Sequence, residues 1–437
     1  MFDPPTTLPE PSQHIAAAAC RAQEQISRWP EARIHKLTNH IASRVDRASA
    51  SLAAAVVEAT GQGNPTDRRE LLRWIAARGA PADHTSKPGV GFVGEDAHGH
   101  ITLAEPIGLV LVLVSDELPV ASALHIALAA TRTRNAALLI TPAPSLLAPI
   151  FGLMRSVLED AGAPPDLIQI CAAVTPKQLE FWLRLPEVSE VVVCGGGDRA
   201  RAALRCGKPT LGLPVGNTPC VVLDDADAHQ TAERILRSKV LDHGLHRAAE
   251  QQLIVTPRAE HAMIDALEGL GAALLSTHES NQLRDGLAEG ALTPGLSAHD
   301  SAAAVGVEVP SSTTLLLVPA VWNPGSPWLR PVQSPILPVF SAQDPSVAFQ
   351  LARRIAGSAG PSLHAAIHTD DDDALAHYVA GMPAGRILIN TGATHSALGV
   401  TGKLPCSVVY SAGPRGAENI TYENLRILKR VIRNKEG

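Results

Sequence analysis

Short apolar runs alternate with Ala-rich stretches of helical length from about residue 108 onward. Runs rich in Val, Ile and Leu predict a first series of strands at 109–114, 137–140, 167–171, 191–194 and 220–223. Helices are predicted between them at 120–133, 146–162, 176–184 and 198–206. Strands that are apolar throughout are typical of parallel sheets covered on both faces, with helices as the crossovers. The pattern therefore predicts an α/β fold.

A second series of apolar runs begins after residue 224, at 252–255, 272–275, 314–318, 364–368 and 386–390. This repetition predicts a second α/β domain. The first hundred residues predict Ala-rich helices, which end in the Gly-rich stretch 89–100. Residues 279–330 are rich in Gly, Pro and Ser, so we expect much irregular backbone there.

Composition and charge limit the classes of ligand and the cellular location that we expect. A chain of 437 residues with 45% apolar side chains can bury large cores, and a net charge of −6 gives no basic field for nucleic acid or anionic lipid. Small molecules and protein partners are the expected ligands. No run reaches the roughly 18 apolar residues that a membrane span needs, and the first residues do not resemble a secretory leader. The sequence predicts a cytoplasmic protein. Its six scattered cysteines predict free thiols and no metal site.

Three consecutive glycines, Gly195, Gly196 and Gly197, separate the predicted strand 191–194 from the predicted helix 198–206. Bare backbone amides at the start of a helix can accept a phosphate, so this loop is a candidate nucleotide site. The spacing is not G-x-G-x-x-G. A tight strand-to-helix turn without a ligand is an equally good interpretation of these residues alone.

Several motifs occur in an unbroken order over about 350 residues. They include VEATGQG (57–63), LAEPIGLVLVL (103–113), RNAALLITPAP (134–144), the long segment from CGGG to VVLDD (194–225), and ALGVTG (397–402). This order resembles that of the CoA-acylating aldehyde dehydrogenases, which act on acetaldehyde, propionaldehyde and related short substrates. The resemblance implies an aldehyde dehydrogenase-like α/β fold.

The resemblance also implies an architecture, cofactors and partners. A Rossmann-like nucleotide-binding domain with N-terminal helices is expected over 1–225, a catalytic-type α/β domain over 226–395, and a C-terminal segment over 396–437 that forms part of an oligomerisation arm. NAD or NADP would meet Thr141, Pro142 and the three glycines, and CoA would be the co-substrate. A homodimer or a higher oligomer is expected.

The resemblance fails at the position of the catalytic cysteine. That family has a segment reading roughly F-D-N-N-L-P-C-I-A-E, and residues 241–250 here read LDHGLHRAAE, which puts Arg247 in the place of the cysteine. No gap is needed for this alignment, because the Asp, Leu, Ala and Glu on either side keep their places. A guanidinium has no lone pair to offer a carbonyl carbon, so Arg247 cannot be the nucleophile.

Two further positions depart from the family. Leu118 occupies the place of the asparagine that stabilises the oxyanion, and Pro331 that of the glutamate that holds the nicotinamide ribose. We therefore expect weak NAD or NADP binding and a non-catalytic homologue that serves as a structural or regulatory partner of an active family member. The alternatives are an active aldehyde oxidoreductase with relocated residues and a ligand-free assembly protein. Cys194, at the end of a strand before the glycines, is the candidate for a relocated thiol, although a buried core cysteine is the favoured interpretation.

Overall fold

The N-terminal part of the chain is helical, as its Ala-rich sequence predicts. The computed structural model describes residues 10–79, 87–173, 175–212, 216–358, 360, 362–413 and 416–432. The first nine residues, on which the expectation of no secretory leader rests, lie outside this part. The first helices are α1 (Glu10–Ser27), α2 (Glu31–Thr60) and α3 (Pro65–Arg78). Helix α2 ends at Gly61, whose φ of 66° allows its N–H to donate to the carbonyl of Val57.

A hairpin and a five-stranded parallel sheet follow in the described part of the chain. The strands are β1 (Gly91–Glu95), β2 (Ile101–Pro106), β3 (Leu109–Leu113), β4 (Ala136–Thr141), β5 (Ile168–Ala172), β6 (Val188–Val193) and β7 (Thr210–Leu211). The helices between them are α4 (Pro119–Arg132), α5 (Pro144–Asp160), α6 (Pro176–Arg184) and α7 (Gly197–Arg205). The sheet order is β5-β4-β3-β6-β7. Strands β3 and β4 are buried throughout and form one apolar core with α1 to α5, as the sequence predicts.

The second sheet of the described residues has seven parallel strands. They are β8 (Pro219–Val222), β9 (Gln252–Val255), β10 (Ala272–Leu274), β11 (Leu315–Ala320), β12 (Ile336–Ser341), β13 (Ser362–His368) and β14 (Ala384–Ile389), in the order β10-β11-β12-β9-β8-β13-β14. The helices are α8 (Ala228–Lys239), α9 (Pro257–Gly269), α10 (Thr277–Glu289), α11 (Ala298–Ala303), α12 (Pro345–Ala356), α13 (Asp372–Gly381) and α14 (Ala393–Ala397). The predicted α/β fold class is confirmed.

Two elements differ from what the sequence pattern indicated. Strand β8, predicted with the first series, pairs with β9 and β13 of the second sheet, with Cys220 opposite Leu253 and Ala366. An apolar strand fits either parallel sheet, so only the path of the chain assigns it. Helix α10 (Thr277–Glu289) covers the start of the stretch 279–330, in which much irregular backbone was expected and does occur after residue 290. The local signals for this helix were a capping box between Ser276 and Glu279 and a left-handed C-cap at Gly290.

The C-terminal segment adds antiparallel strands. They are β15 (Tyr410–Gly413), β16 (Gly416–Asn419) and β17 (Arg426–Val431). Strand β17 pairs with β2, so that the sheet order is β1-β2-β17. Large apolar side chains on this sheet are exposed, among them Phe92 and Leu428. Its role in oligomerisation stays a prediction. No helix of the described residues is long and apolar enough to cross a membrane.

Candidate functional site

The segment that carries Arg247 begins with an unusual turn after α8. Asp242, His243 and Gly244 all have positive φ, at 51°, 52° and 73°. The strained turn is held by the Asp242 carboxylate, which accepts hydrogen bonds from the backbone N–H of Asn64 at 2.7 Å and from Nε of Arg68 at 3.1 Å. This turn places residues 245–247 between the two parallel sheets, immediately before β9.

Arg247 forms an ion pair with Glu117, which follows β3 in the five-stranded sheet. Arg247 Nε donates to Glu117 Oε1 at 2.9 Å, and Nη2 contacts the same oxygen. The other carboxylate oxygen accepts from Ser115 Oγ at 2.7 Å. The Glu117 side chain is 12% exposed and that of Arg247 33%. Burial raises the pKa of Glu117, but the charge and hydrogen bonds of Arg247 outweigh it, so the pKa lies below its usual value. The pair is therefore ionised.

The glycine loop lies against this arginine. A side chain at Gly196 would place its Cβ 2.6 Å from Nη1 of Arg247, and Gly197 has a φ of 72°. The backbone conformation favours glycine at 197, whereas a Cβ at 196 would require only that the Arg247 guanidinium shift. Because β3, β4 and β6 are parallel neighbours, their carboxyl ends share one edge of the sheet. Thr141 is the last residue of β4 and Pro142 follows it at that edge, and the glycines follow β6.

A small cavity remains beside Arg247. It measures about 30 Å³ and is lined by Glu117, Leu118, Cys194, Gly195 and residues of the 245–247 segment, with Tyr410 at one side. Such a volume holds one or two water molecules, since a water needs at least about 10–15 Å³ on this measure. A neighbouring apolar cavity of about 20 Å³ shares Leu118. Pro331 is not among the described residues that line either space.

The Leu118 position offers no free donor. Its side chain is apolar, and its backbone N–H already donates to Ser115 Oγ at 3.2 Å. Neither group can therefore stabilise a developing oxyanion without rearrangement of the loop after β3.

Cys194 lacks the properties of an activated thiol. The residue is half-buried, and burial raises its pKa to about 12, although the charge of Arg199 acts in the opposite direction. Desolvation thus outweighs any lowering by the nearby helix start, which favours the interpretation of Cys194 as a buried cysteine over that of a relocated nucleophile. Burial likewise raises the pKa of Cys171 and Cys406 to about 12. No group of three His, Cys, Asp or Glu among the described residues is placed to hold a metal.

The buried pair Lys239 and Glu250 lies behind the 241–247 turn and was missed by sequence reasoning. Burial lowers the pKa of Lys239 to about 7 against the attraction of Glu250, and its Nζ donates to the carbonyl of Val332 at 3.1 Å. Burial raises the pKa of Glu250, which accepts from Ser238 Oγ at 2.5 Å and the N–H of Ala393 at 2.7 Å. The only sequence signal for this pair was Glu250, which the sequence analysis used only to align residues 241–250 with the cysteine segment of the family.

Buried histidines surround the same region. His246 accepts from the N–H of Ala248 through Nδ1, so its Nε2–H donates to Tyr410 Oη at 3.1 Å. This tautomer is neutral, in agreement with a pKa lowered to about 4, first by burial and then by His395. Burial also lowers the pKa of His364 to about 3 and that of His368 to about 4.

These histidines predict acid destabilisation. Their folded pKa values lie below the unfolded value of 6.5, so the folded chain binds fewer protons between pH 6.5 and 4, and stability is lost as pH falls through that window. At about 1.4 kcal/mol per pKa unit, His246 and His368 each contribute at most about 3 kcal/mol and His364 at most about 5 kcal/mol. Urea unfolding as a function of pH should show this loss. His368→Leu should make the slope shallower by up to one proton, because neither ring nitrogen has a partner among the described residues.

The fully exposed His261 supplies the control, and His261→Gln should leave the profile unchanged. Equal slopes for His368→Leu and the unmodified protein would contradict the assignment.

The comparisons with known proteins agree with this architecture. Residues 5–285 match the model of the aldehyde dehydrogenase family. The chain belongs to the aldehyde dehydrogenase family. It is 27% identical over 435 residues to the bifunctional aldehyde-alcohol dehydrogenase of Escherichia coli K12, covering 95% of this chain and 49% of that protein. The chain thus spans about half the length of the bifunctional relatives it matches.

Acylating members of the aldehyde dehydrogenase family are among the similar proteins. The acylating sulfoacetaldehyde dehydrogenase of Cupriavidus necator is 26% identical over 423 residues, covering 93% of this chain and 85% of that protein. The crystal structure of an acetylating aldehyde dehydrogenase from Geobacillus thermoglucosidasius superposes with a TM-score of 0.92 at 25% identity, covering 98% and 97% of the two chains. This chain therefore has the fold of the acylating aldehyde dehydrogenases.

Proposed function

We propose that this chain does not catalyse the CoA-acylating oxidation of aldehydes and is a structural or regulatory homologue of the active enzymes. The observation that carries the proposal is the ion pair between Arg247 and Glu117 at the position expected for the catalytic thiol. Attack on an aldehyde needs a deprotonated sulfur or a comparable lone pair, and the guanidinium offers none. The pair also fills the space in which the aldehyde carbon would have to approach a nucleophile.

The rest of the pocket supports the same conclusion. The cavity of about 30 Å³ beside Arg247 has room for one or two water molecules with the side chains in this arrangement. The side chain of Leu118 supplies no donor for an oxyanion, and the side chain of Pro331 has no carboxylate to accept from a ribose hydroxyl. The raised pKa of Cys194 argues against the alternative, an active oxidoreductase with a relocated thiol.

The proposed homologue keeps surfaces that could bind a nucleotide and CoA. Thr141, Pro142 and the glycines 195–197 would receive NAD or NADP weakly, and CoA would be a ligand by analogy with the acylating relatives. The division into a nucleotide-binding domain (1–225), a catalytic-type domain (226–395) and a C-terminal arm segment (396–437) is part of this proposal. A cytoplasmic homodimer or higher oligomer, or a complex with an active family member, would be the functional unit.

The proposal predicts that the purified protein forms no NADH or NADPH from acetaldehyde or propionaldehyde with CoA, above a control without protein. The reason is the missing nucleophile, and absorbance at 340 nm is the measurement. Turnover that survives desalting and disappears after thiol alkylation would reject the proposal and make Cys194 the first thiol to be replaced.

A further inference from the structure

The seven-stranded sheet reverses its winding at the edge strand β10. The chain passes from β9 to β10 and then returns to β11, while the order of the strands at this end is β10-β11-β12-β9. Helix α9 lies on one face of the sheet, where Met263 shares an apolar core with Leu317 of β11. Helix α10 lies on the opposite face, where Leu283 shares a core with Leu316. Open α/β sheets bind ligands outside the carboxyl ends of their strands at such a reversal.

An open groove lies at this reversal. Its volume is about 940 Å³, which falls in the range of about 300–1,000 Å³ that is usual for small-molecule sites. The lining comes from both helices, from the ends of β10, β11 and β12, and from the loop 321–328. No residue that lines the groove also lines the cavity beside Arg247. The groove is therefore a candidate site separate from the glycine loop and from the position of the lost nucleophile.

The groove presents hydrogen-bonding groups that the fold does not use. The amide of Asn281, on α10, has no hydrogen-bond partner among the described residues. Glu260, on α9, accepts from Ser341 Oγ at 2.6 Å through Oε1, which leaves Oε2 for a ligand. Trp328 is 5% exposed, and its indole Nε1–H has no partner within the described part of the chain, although solvent reaches it. These groups provide an acceptor, an amide and a donor around one space.

The charges in the groove favour an uncharged ligand. Glu260 and Asp285 bring two carboxylates, whereas Arg284 is the one cation of the described lining, and its Nε and Nη2 already donate to Asp285 at 3.0 and 2.9 Å. A phosphate group would therefore meet a net negative charge. Apolar side chains of Ile264 and Leu274 complete the surface and suit the carbon atoms of a ring.

We propose that this groove binds an uncharged ligand that presents a sugar ring, either a saccharide or a nucleoside. Neighbouring hydroxyl groups on such a ring can donate to the carboxylate of Glu260, as ribose hydroxyls do to the acidic residue of dinucleotide-binding folds. They can also both donate to and accept from the amide of Asn281, and a ring or hydroxyl oxygen can accept from the indole N–H of Trp328. The inference is independent of whether the chain is catalytically active.

Calorimetric titration of the full chain with maltose, and separately with adenosine, tests the inference. At least one of the two should bind with a Kd below about 1 mM. Glu260→Ala and Asn281→Ala should each weaken that binding on the order of tenfold, because each removes a hydrogen bond to the ligand. Trp328→Phe keeps an aromatic ring and removes the N–H, so it should weaken binding severalfold. AMP should bind at the groove no more tightly than adenosine, because its phosphate adds negative charge.

Asp265→Ala is the matched control. Asp265 is an acidic residue of α9 like Glu260, but it pairs with His261, its side chain is 59% exposed, and it does not line the groove. This variant should leave binding unchanged. Binding of maltose alone would identify a saccharide site, binding of adenosine alone a nucleoside site, and binding of both a site that recognises the sugar ring itself.

Three results would overturn the inference. They are no binding of either probe below about 1 mM, binding that neither Glu260→Ala nor Asn281→Ala weakens, and tighter binding of AMP than of adenosine that depends on these two residues. Adenosine bound at the glycine loop of the first sheet would fall under the second result, because neither variant touches that loop. If Trp328→Phe fails to fold, the variants at Glu260 and Asn281 decide the question.

Discussion

Replacement of Arg247 by leucine should lower the free energy of unfolding by about 2–4 kcal/mol, because Glu117 would keep a buried charge without its cation. The range extends down to about 2 kcal/mol because Arg247 is partly exposed and solvent screens its charge. The double variant Glu117→Gln/Arg247→Leu should recover most of the loss. It removes the charge, and the glutamine oxygen can still accept from Ser115 Oγ. Urea unfolding at neutral pH measures both changes.

The exposed ion pair between Arg284 and Asp285 is the control, because it shows what a surface ion pair contributes. Arg284→Leu should change the free energy of unfolding by less than about 1 kcal/mol. A loss for Arg247→Leu no larger than that, or no recovery in the double variant, would show that the Glu117 charge is not stabilised by the pair.

Installation of a cysteine by Arg247→Cys alone should restore little aldehyde oxidation. The new thiol would lie beside the Glu117 carboxylate, which opposes its ionisation, and the oxyanion would still lack a side-chain donor. The triple variant Arg247→Cys/Glu117→Thr/Leu118→Asn supplies the cysteine and the asparagine expected from the acylating enzymes and replaces the Glu117 carboxylate by a neutral side chain. It should exceed the single variant by about 10²–10³ in rate, which is the typical contribution of one oxyanion donor.

The measurement is NADH formation from propionaldehyde and CoA at saturating cofactor. Leu118→Asn without the cysteine should remain inactive, since it supplies a donor but no nucleophile. A single Arg247→Cys variant as active as the triple variant would show that the loop after β3 does not limit catalysis.

The sequence alone was sufficient for the fold class and for most elements. Strands β3, β4 and β9 are almost entirely apolar, and that pattern has few solutions other than buried parallel strands. The ordered motifs then led to the family. The sequence did not determine the sheet to which a strand belongs where its local pattern fits both sheets. Strand β8 suits either sheet, and its partner depends on contacts with β9 and β13, which lie up to about 150 residues away in the chain.

The candidate site divides in the same way between sequence and tertiary structure. The sequence determined that residue 247 is an arginine without nucleophilic capacity, because the alignment and the chemistry of the side chain are both local properties. Only the tertiary structure revealed Glu117 as its partner, at a separation of 130 residues. The tertiary structure also decided that burial raises the pKa of Cys194. The physical reason is that charge pairing and desolvation depend on which groups surround an atom in space, and that neighbourhood arises only when the two sheets pack together.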